Sequence, residues 1–422
     1  MRSDFAKNAA WVSGGTAISQ GITILASIVI TRIYTDEDFG VFTLYVAILS
    51  VLLIASSLKL EHAIPITTSI GATLNLVMLN FIILFIWSAI LFLFLFFFRD
   101  QLSIWLDAPN IKNYLLLIPL GLLLGGIYNI LYQWALKLKT FKLITRTKVA
   151  QGAGLSIGKI GIGLVHASPL GLISGHIIGK SAGAFSLSRK FFQTYKGKFS
   201  LVSGKRMNWG LVRFKQFPLL TLPAQLLAAG GQRLPIFIIT AFYGLDVVGQ
   251  FGLSEMIISL PVVLIGTAIG DVFYAEVAEK GKKEPEKILQ LSNKLVKKLS
   301  LIGSIPMVIL LLLGPFLFAF VFGEDWRTAG EIAQVLGILA FFRLVFTPIS
   351  RVYILYEKHL ALLLFNALRI TVIILCFGVA NYLSYDYIHA IMIYTIGMSL
   401  VYFFIYLYAN TIIKNQIKLE KK

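Results

Sequence analysis

Five cationic side chains stand inside stretches that are otherwise apolar: Lys159, Lys180, Arg233, Arg343 and Arg369. A charge at the centre of a bilayer costs roughly 2.5 to 3.5 kcal/mol on insertion scales, so such residues persist where water, a counter-charge or a substrate compensates them. Their chemistry is anion binding. Arginine offers a planar fork of donors and lysine a compact point charge, and both suit phosphate oxygens. Arg233 follows Gln232 in a stretch interrupted by Pro218, Pro223 and Pro235, and with Arg343 it is the expected centre of an anion path. For Lys180 and Arg369, close to helix ends, two roles stay open: lining that path, or snorkelling and simple pairing.

Glu255 is the one carboxylate placed well inside an apolar run. It is a candidate for carrying a coupling ion, proton or sodium, and equally for pairing with Arg233. Gln20 belongs to a stripe with Ser13, Thr16, Thr23 and Ser27 at spacings of three and four, which share one helix face, and Gln225 is the candidate counterpart in the second half. Such a stripe serves either hydrogen bonds to sugar hydroxyls or adhesion between helices. Gly171, Gly175, Gly179 and Gly183 recur at every fourth position, with Gly154 and Gly158 in the preceding run, and predict close backbone packing.

Catalytic chemistry has little support. Asp36, Glu37 and Asp38 form an acidic triplet of the kind that holds a metal or acts as a base, but every loop on its side is short. The five histidines, at 62, 166, 176, 359 and 389, lack ligand spacing, and no nucleophile motif or P-loop occurs. Cys376 is the only cysteine, so no intramolecular disulfide forms. No enzyme activity, metal or cofactor is expected.

The elements that carry these residues follow from composition. The 422 residues are 57% hydrophobic and 14% charged, with a mean hydropathy of +0.82, against roughly 25% charged in soluble domains. Runs of about 20 apolar residues imply spanning helices, because a bilayer leaves every backbone polar group to be satisfied within the chain. Apolar runs lie near 9–33, 40–60, 71–98, 113–136, 146–167, 169–188, 216–242, 246–270, 299–322, 330–352, 360–380 and 387–410, about 12 spans. Arg2 and Lys7 precede the first, whose apolar part is too long for a cleaved signal core.

With a cytoplasmic N-terminus, only Arg32, Arg99, Lys112 and Arg327 of the 38 basic residues fall in external loops, together with half of the 20 acids. Lys and Arg therefore collect inside, which places both termini in the cytoplasm. The net charge of +18 is topology and argues for no nucleic-acid partner. The segment from Arg189 to Lys215 is basic throughout and divides the chain into residues 1–195, a linker 196–215 and residues 216–422, with six spans in each half. From Glu276 to Lys298, charges alternate with Ile288, Leu291, Leu295 and Leu299 at helical spacing, which predicts a short amphipathic surface helix. Thr31, Ile33, Tyr34, Glu37, Gly40 and Phe42 match Thr240, Phe242, Tyr243, Asp246, Gly249 and Phe251 at one constant offset. An even number of spans between the copies makes the repeat parallel.

The segments ITRIYTDEDFGVF from Ile30 to Phe42 and QRLPIFIITAFYGLDVVGQF from Gln232 to Phe251 resemble the Wzx-type O-antigen and capsule flippases. Those belong to the multidrug/oligosaccharidyl-lipid/polysaccharide (MOP) exporter superfamily. The resemblance implies an all-α membrane protein of the bacterial cytoplasmic (inner) membrane, with two pseudo-symmetric six-helix lobes in a MATE-like fold around a central cavity. It further implies translocation of undecaprenyl-diphosphate-linked oligosaccharide units by alternating access driven by an ion gradient, for surface polysaccharide synthesis beside a polysaccharide polymerase. Many relatives carry an acid near the position of Gln232, a departure that leaves the coupling chemistry open. Multidrug exporters and peptidoglycan-precursor flippases of the same superfamily are the nearest alternatives, and a membrane glycosyltransferase a more distant one. Spans rich in bases and poor in acids favour an anionic substrate over organic cations.

Overall fold

The structure, a computed structural model, describes residues 2–280 and 284–420, and every regular element among them is helical. The α-helices are α1 (Arg2–Ile30), α2 (Asp36–Ala55), α3 (Ile70–Trp105), α4 (Ile118–Lys137), α5 (Phe141–Val165), α6 (Pro169–Ser181), α7 (Ala184–Thr194), α8 (Gly204–Arg213), α9 (Leu222–Pro261), α10 (Thr267–Lys280), α11 (Pro285–Phe322), α12 (Arg327–Phe346), α13 (Arg351–Leu355), α14 (His359–Tyr382) and α15 (Tyr387–Glu420). The protein is a multi-pass membrane protein. Its outer faces are apolar: Leu93, Phe96 and Phe97 of α3 and Leu301, Leu312 and Phe320 of α11 are all exposed. Surfaces of that kind match lipid rather than water.

Among the described residues, 9 stretches are long and apolar enough to cross a membrane. The longest, Phe217–Gly266, holds two of the expected spans, separated where Gly244 turns the chain of α9 at φ 90° and ψ 174°. A left-handed φ of this kind is open to glycine at little cost. α5 and α6 fall outside the set, since α5 carries Lys142, Arg146, Lys148 and Lys159 and α6 has only 13 residues. Counting both limbs of α9 and adding α5 and α6 gives the dozen crossings that the apolar runs predict.

Two expected elements differ. The sixth span is not one helix over 169–188: it breaks between α6 and α7 at Gly183, whose φ is 89°. A Cβ at Gly183 would lie 2.6 Å from Cβ of Thr147, so crowding against α5 adds to the backbone reason for glycine. The amphipathic pattern of 276–298 is likewise not a separate surface helix. Its second part is the beginning of α11, a 38-residue helix in which Ile288, Leu295 and Leu299 are buried. Residues 281–283 of that segment lie outside the described residues.

The chain forms two compact units, Met1–Asp246 and Val247–Lys422. In the first, α5 packs along both α1 and α6, α3 packs along α4, and α2 lies against α4 and α6. Gly40 of α2 abuts the Leu245 carbonyl beside the Gly244 turn, leaving no room for a Cβ. In the second, α11 packs along α12, and α15 packs against α12 and α14. A Cβ on Gly330 of α12 would lie 2.5 Å from the Gly314 carbonyl of α11. Gln250 fastens α9 to the start of α12 by donating to the Asp325 carbonyl and accepting from the Ala329 amide, each at 2.9 Å.

The α5–α6 contact is a true glycine seam, for a Cβ on Gly158 would lie 2.9 Å from Gly175 Cα. Replacing Gly158 by Leu is expected to cost about 1–3 kcal/mol through overpacking, seen as a lower thermal unfolding midpoint in detergent. Gly161→Leu is the control, since nothing lies within 4 Å of a Cβ there; equal stability of the two variants would refute the seam.

Candidate anion-binding site

The seam does more than join two helices. A Cβ on Gly175 would collide with the backbone nitrogen of Lys159 and lie 2.7 Å from its Cγ. Glycine at 175 therefore lets the helix carrying Lys159 settle directly on α6. One turn away, Gly171 and Gly163 leave space for the phenol of Tyr34, which arrives from the turn between α1 and α2. Tyr34 donates its hydroxyl to the Lys159 carbonyl at 2.7 Å. Burial, reinforced by Asp38, pushes this phenol up to about 12, so it remains a protonated donor through the physiological range.

The Lys159 ammonium lies 3.8 Å from the centre of the Phe42 ring. Such a contact is worth about 2 kcal/mol when desolvated, yet it leaves the charge without a counter-ion. Phe42 also meets the His176 ring edge-on, with centroids 5.6 Å apart. His176 and Lys180 stand four residues apart on α6 and so share a face, and Gln151 of α5 donates to the Lys180 carbonyl at 2.8 Å, fixing the two helices in register. Lys180 lies within electrostatic reach of Lys148, Lys159, His176 and Arg233. Lys148 is held over the rings of Tyr132 and Tyr128, at 5.2 and 5.8 Å.

Among the described residues, the charges that act on Lys159, His176 and Lys180 are all positive. Lys159 and His176 are half-buried, while Lys180 remains accessible. A concentration of like charge in a poorly solvated setting is unfavourable until an anion enters it. This arrangement can bind a polyanion such as a diphosphate.

The second unit holds a different pocket. Glu255 of α9 and Arg343 of α12 line a cavity of about 50 Å³ with Phe251, Ser259, Leu336 and Tyr394. That volume holds a few waters. Tyr394 of α15 lies close enough to feel both charges and also Tyr402, and its ring stacks on Phe377 of α14 at 5.4 Å. Arg369 of α14 is half-buried, with its guanidinium 4.8 Å from the Tyr402 ring and its Nη1 donating to Asn366 at 3.3 Å. Charge of both signs is present here, in contrast to the surroundings of Lys159, His176 and Lys180.

Of the residues singled out by sequence, Lys159, Lys180 and Arg233 come together in the first unit, and Glu255 and Arg343 in the second. Gln20 and Gln225 are half-buried on α1 and α9. In the polar stripe of α1, Thr23 and Ser27 bond carbonyls of their own helix. The acidic triplet starts α2: Thr35 and Asp38 form a reciprocal capping box at 3.1 and 3.2 Å, and Glu37 accepts from Asn110. His176, Lys148 and Tyr394 were not foreseen. The four-residue spacing of His176 and Lys180 was the available signal for the first of these.

Residues 29–331 match the family described as polysaccharide biosynthesis protein. The chain belongs to that family. A stretch of 140 residues is 29% identical to the teichuronic acid biosynthesis protein TuaB of Bacillus subtilis (strain 168), covering 33% of this chain and only 29% of that relative. Among solved structures, the lipid II flippase MurJ in an inward closed conformation superposes with a TM-score of 0.74 at 14% identity, covering 97% of this chain and 91% of its own. An inward-facing multidrug resistance MATE transporter of the MOP superfamily gives a TM-score of 0.69 at 15% identity, covering 94% and 96%. Both similarities establish the fold, which this family member shares.

The Arg369 geometry assigns that residue mainly to the α14–α15 contact. Tyr402→Leu should lower thermal stability by about 0.5–2 kcal/mol, the range of a cation–π contact, read as the unfolding midpoint in detergent. An unchanged midpoint would remove Arg369 from that contact.

Proposed function

We propose that the protein is a flippase that moves undecaprenyl-diphosphate-linked oligosaccharide units from the cytoplasmic to the periplasmic leaflet. The observation that carries this reading is the cluster of Lys159, His176 and Lys180, which feel only positive charge and have Arg233 within reach. A diphosphate brings two or more negative charges into a medium that penalises them, and a preformed basic cluster offsets that penalty during transit. A multidrug exporter for organic cations would need the opposite sign. The family assignment supports a role in polysaccharide synthesis.

On this proposal the protein resides in the bacterial inner membrane with both termini cytoplasmic, where the basic linker 196–215 joins two six-span lobes. Transport proceeds by alternating access coupled to a proton or sodium gradient, with Glu255 as the candidate carrier. Arg233, Lys159 and Lys180 meet the diphosphate in the first unit and Arg343 meets it in the second, while Gln20 and Gln225 meet the glycan. A polysaccharide polymerase receives the product. Recognition of a peptidoglycan precursor is the competing substrate, which the fold similarity to the lipid II flippase also accommodates.

The test is complementation of a deletion in the native host. Without the gene, complete lipid-linked repeat units should accumulate on the cytoplasmic leaflet while surface polymer disappears. A Lys159→Ala, Lys180→Ala double variant should insert normally yet restore less than about a tenth of export, given the 1.5–3 kcal/mol typical of hydrogen bonds to charged groups. Full export by that variant would reject the cluster as substrate path. A truncated glycan in the deletion strain would indicate a glycosyltransferase, and unchanged glycan with raised drug sensitivity an exporter.

A further inference from the structure

Two cavities of the second unit share a wall. Beside the charged pocket of Glu255 and Arg343 lies a larger cavity of about 230 Å³, bounded by α9 and its π-helical extension, α11 and α12. Ile258, Val262 and Ala340 line both. The remaining lining residues are likewise apolar and include Pro261, Gly303, Pro306, Met307 and Gly337. Its rim includes Ile309, which is 44% exposed on the outer side of α11, where Ile305 and Leu312 are 61% and 74% exposed. The cavity thus extends from the lipid-facing surface of α11 to the back of the pocket that holds Arg343.

An apolar cavity that opens at lipid and ends at a thin apolar wall, behind which Arg343 stands with Glu255, suits a molecule with a hydrocarbon tail and an anionic head. One cavity receives one chain. Bilayer glycerophospholipids carry two acyl chains on one head, whereas a polyprenyl diphosphate is single-tailed and bears its charge directly at the end of that tail. We propose that this cavity seats the first isoprene units of a polyprenyl diphosphate, with the diphosphate directed toward Arg343. The proposal rests on the flippase reading above and adds a lipid-chain site to it. Specificity for the carrier lipid then arises on α11 and α12, apart from recognition of the glycan.

Gly337 provides the test. A Cβ there would find its nearest neighbour, Leu310 Cδ1, at an ordinary 3.5 Å, so alanine fits and a longer side chain has the cavity to occupy. Binding of farnesyl diphosphate and of inorganic diphosphate is measured by calorimetry on the purified full-length protein, with Gly337→Ala, Gly337→Leu and Arg343→Ala variants. Gly337→Leu should weaken farnesyl diphosphate about tenfold, the effect of losing contact with a few buried methylene groups, and leave inorganic diphosphate unchanged. Gly337→Ala should bind both as the parent does, and Arg343→Ala should weaken both. Unchanged farnesyl diphosphate affinity in Gly337→Leu, with inorganic diphosphate still bound, would overturn the chain site and leave the flippase reading standing. Failure of the parent protein to bind either diphosphate would remove that reading and the chain site together. Displacement of farnesyl diphosphate by phosphatidylglycerol at equal concentration would overturn the choice of occupant.

Discussion

A positive charge can be kept inside an apolar helix bundle only if the backbone around it is built to hold it, and here that condition is met by the absence of side chains. Gly175 gives Lys159 its place against α6, and Gly163 with Gly171 admits Tyr34, which grips the Lys159 carbonyl. Any Cβ along this seam pushes α5 and α6 apart. The separation would carry Lys159 away from Phe42 and out of reach of Lys180. Close packing and electrostatics are therefore one constraint in this part of the protein.

The cluster so formed is electrostatically unsatisfied. Phe42 lends Lys159 the negative face of its ring, and the rings of Tyr128 and Tyr132 do the same for Lys148. These contacts reduce the cost of burial without cancelling the charge, because a quadrupole is a weaker partner than a carboxylate. An ion pair would make the site more comfortable and less useful. A cation held by aromatic faces can accept an anionic ligand without first breaking a salt bridge.

The second unit reaches a different balance. Glu255 and Arg343 share a small pocket that Tyr394 closes from α15, and Arg369 is occupied by Asn366 and Tyr402. Charge of both signs in one pocket links the two groups, since a change at the carboxylate alters the field at the guanidinium. The apolar cavity behind this pocket adds a hydrocarbon-compatible surface. Capping follows ordinary soluble-protein chemistry even at the loops, where the Thr35–Asp38 box uses one of the residues that looked most like a catalytic acid cluster.

Sequence by itself determined that the chain is helical and membrane-embedded, because apolar runs of spanning length admit no other solution in a bilayer. It also determined which cations are anomalous, since the cost of Lys159, Lys180, Arg233 and Arg343 in such runs depends on composition alone. The repeat at Tyr34 and Gly40 pointed to the turn that later proved to support Lys159. Tertiary structure decided which of these charges meet. Helix register brings His176 and Lys148 to Lys180, places Tyr394 beside Arg343, and ends the glycine stripe at Gly183 with a left-handed turn. None of that follows from periodicity, because a helix face states what it presents and not what is packed against it. Beyond the spacing that ties His176 to Lys180, a histidine without ligand spacing and a tyrosine in an apolar helix carry no signal until their neighbours from other helices are known.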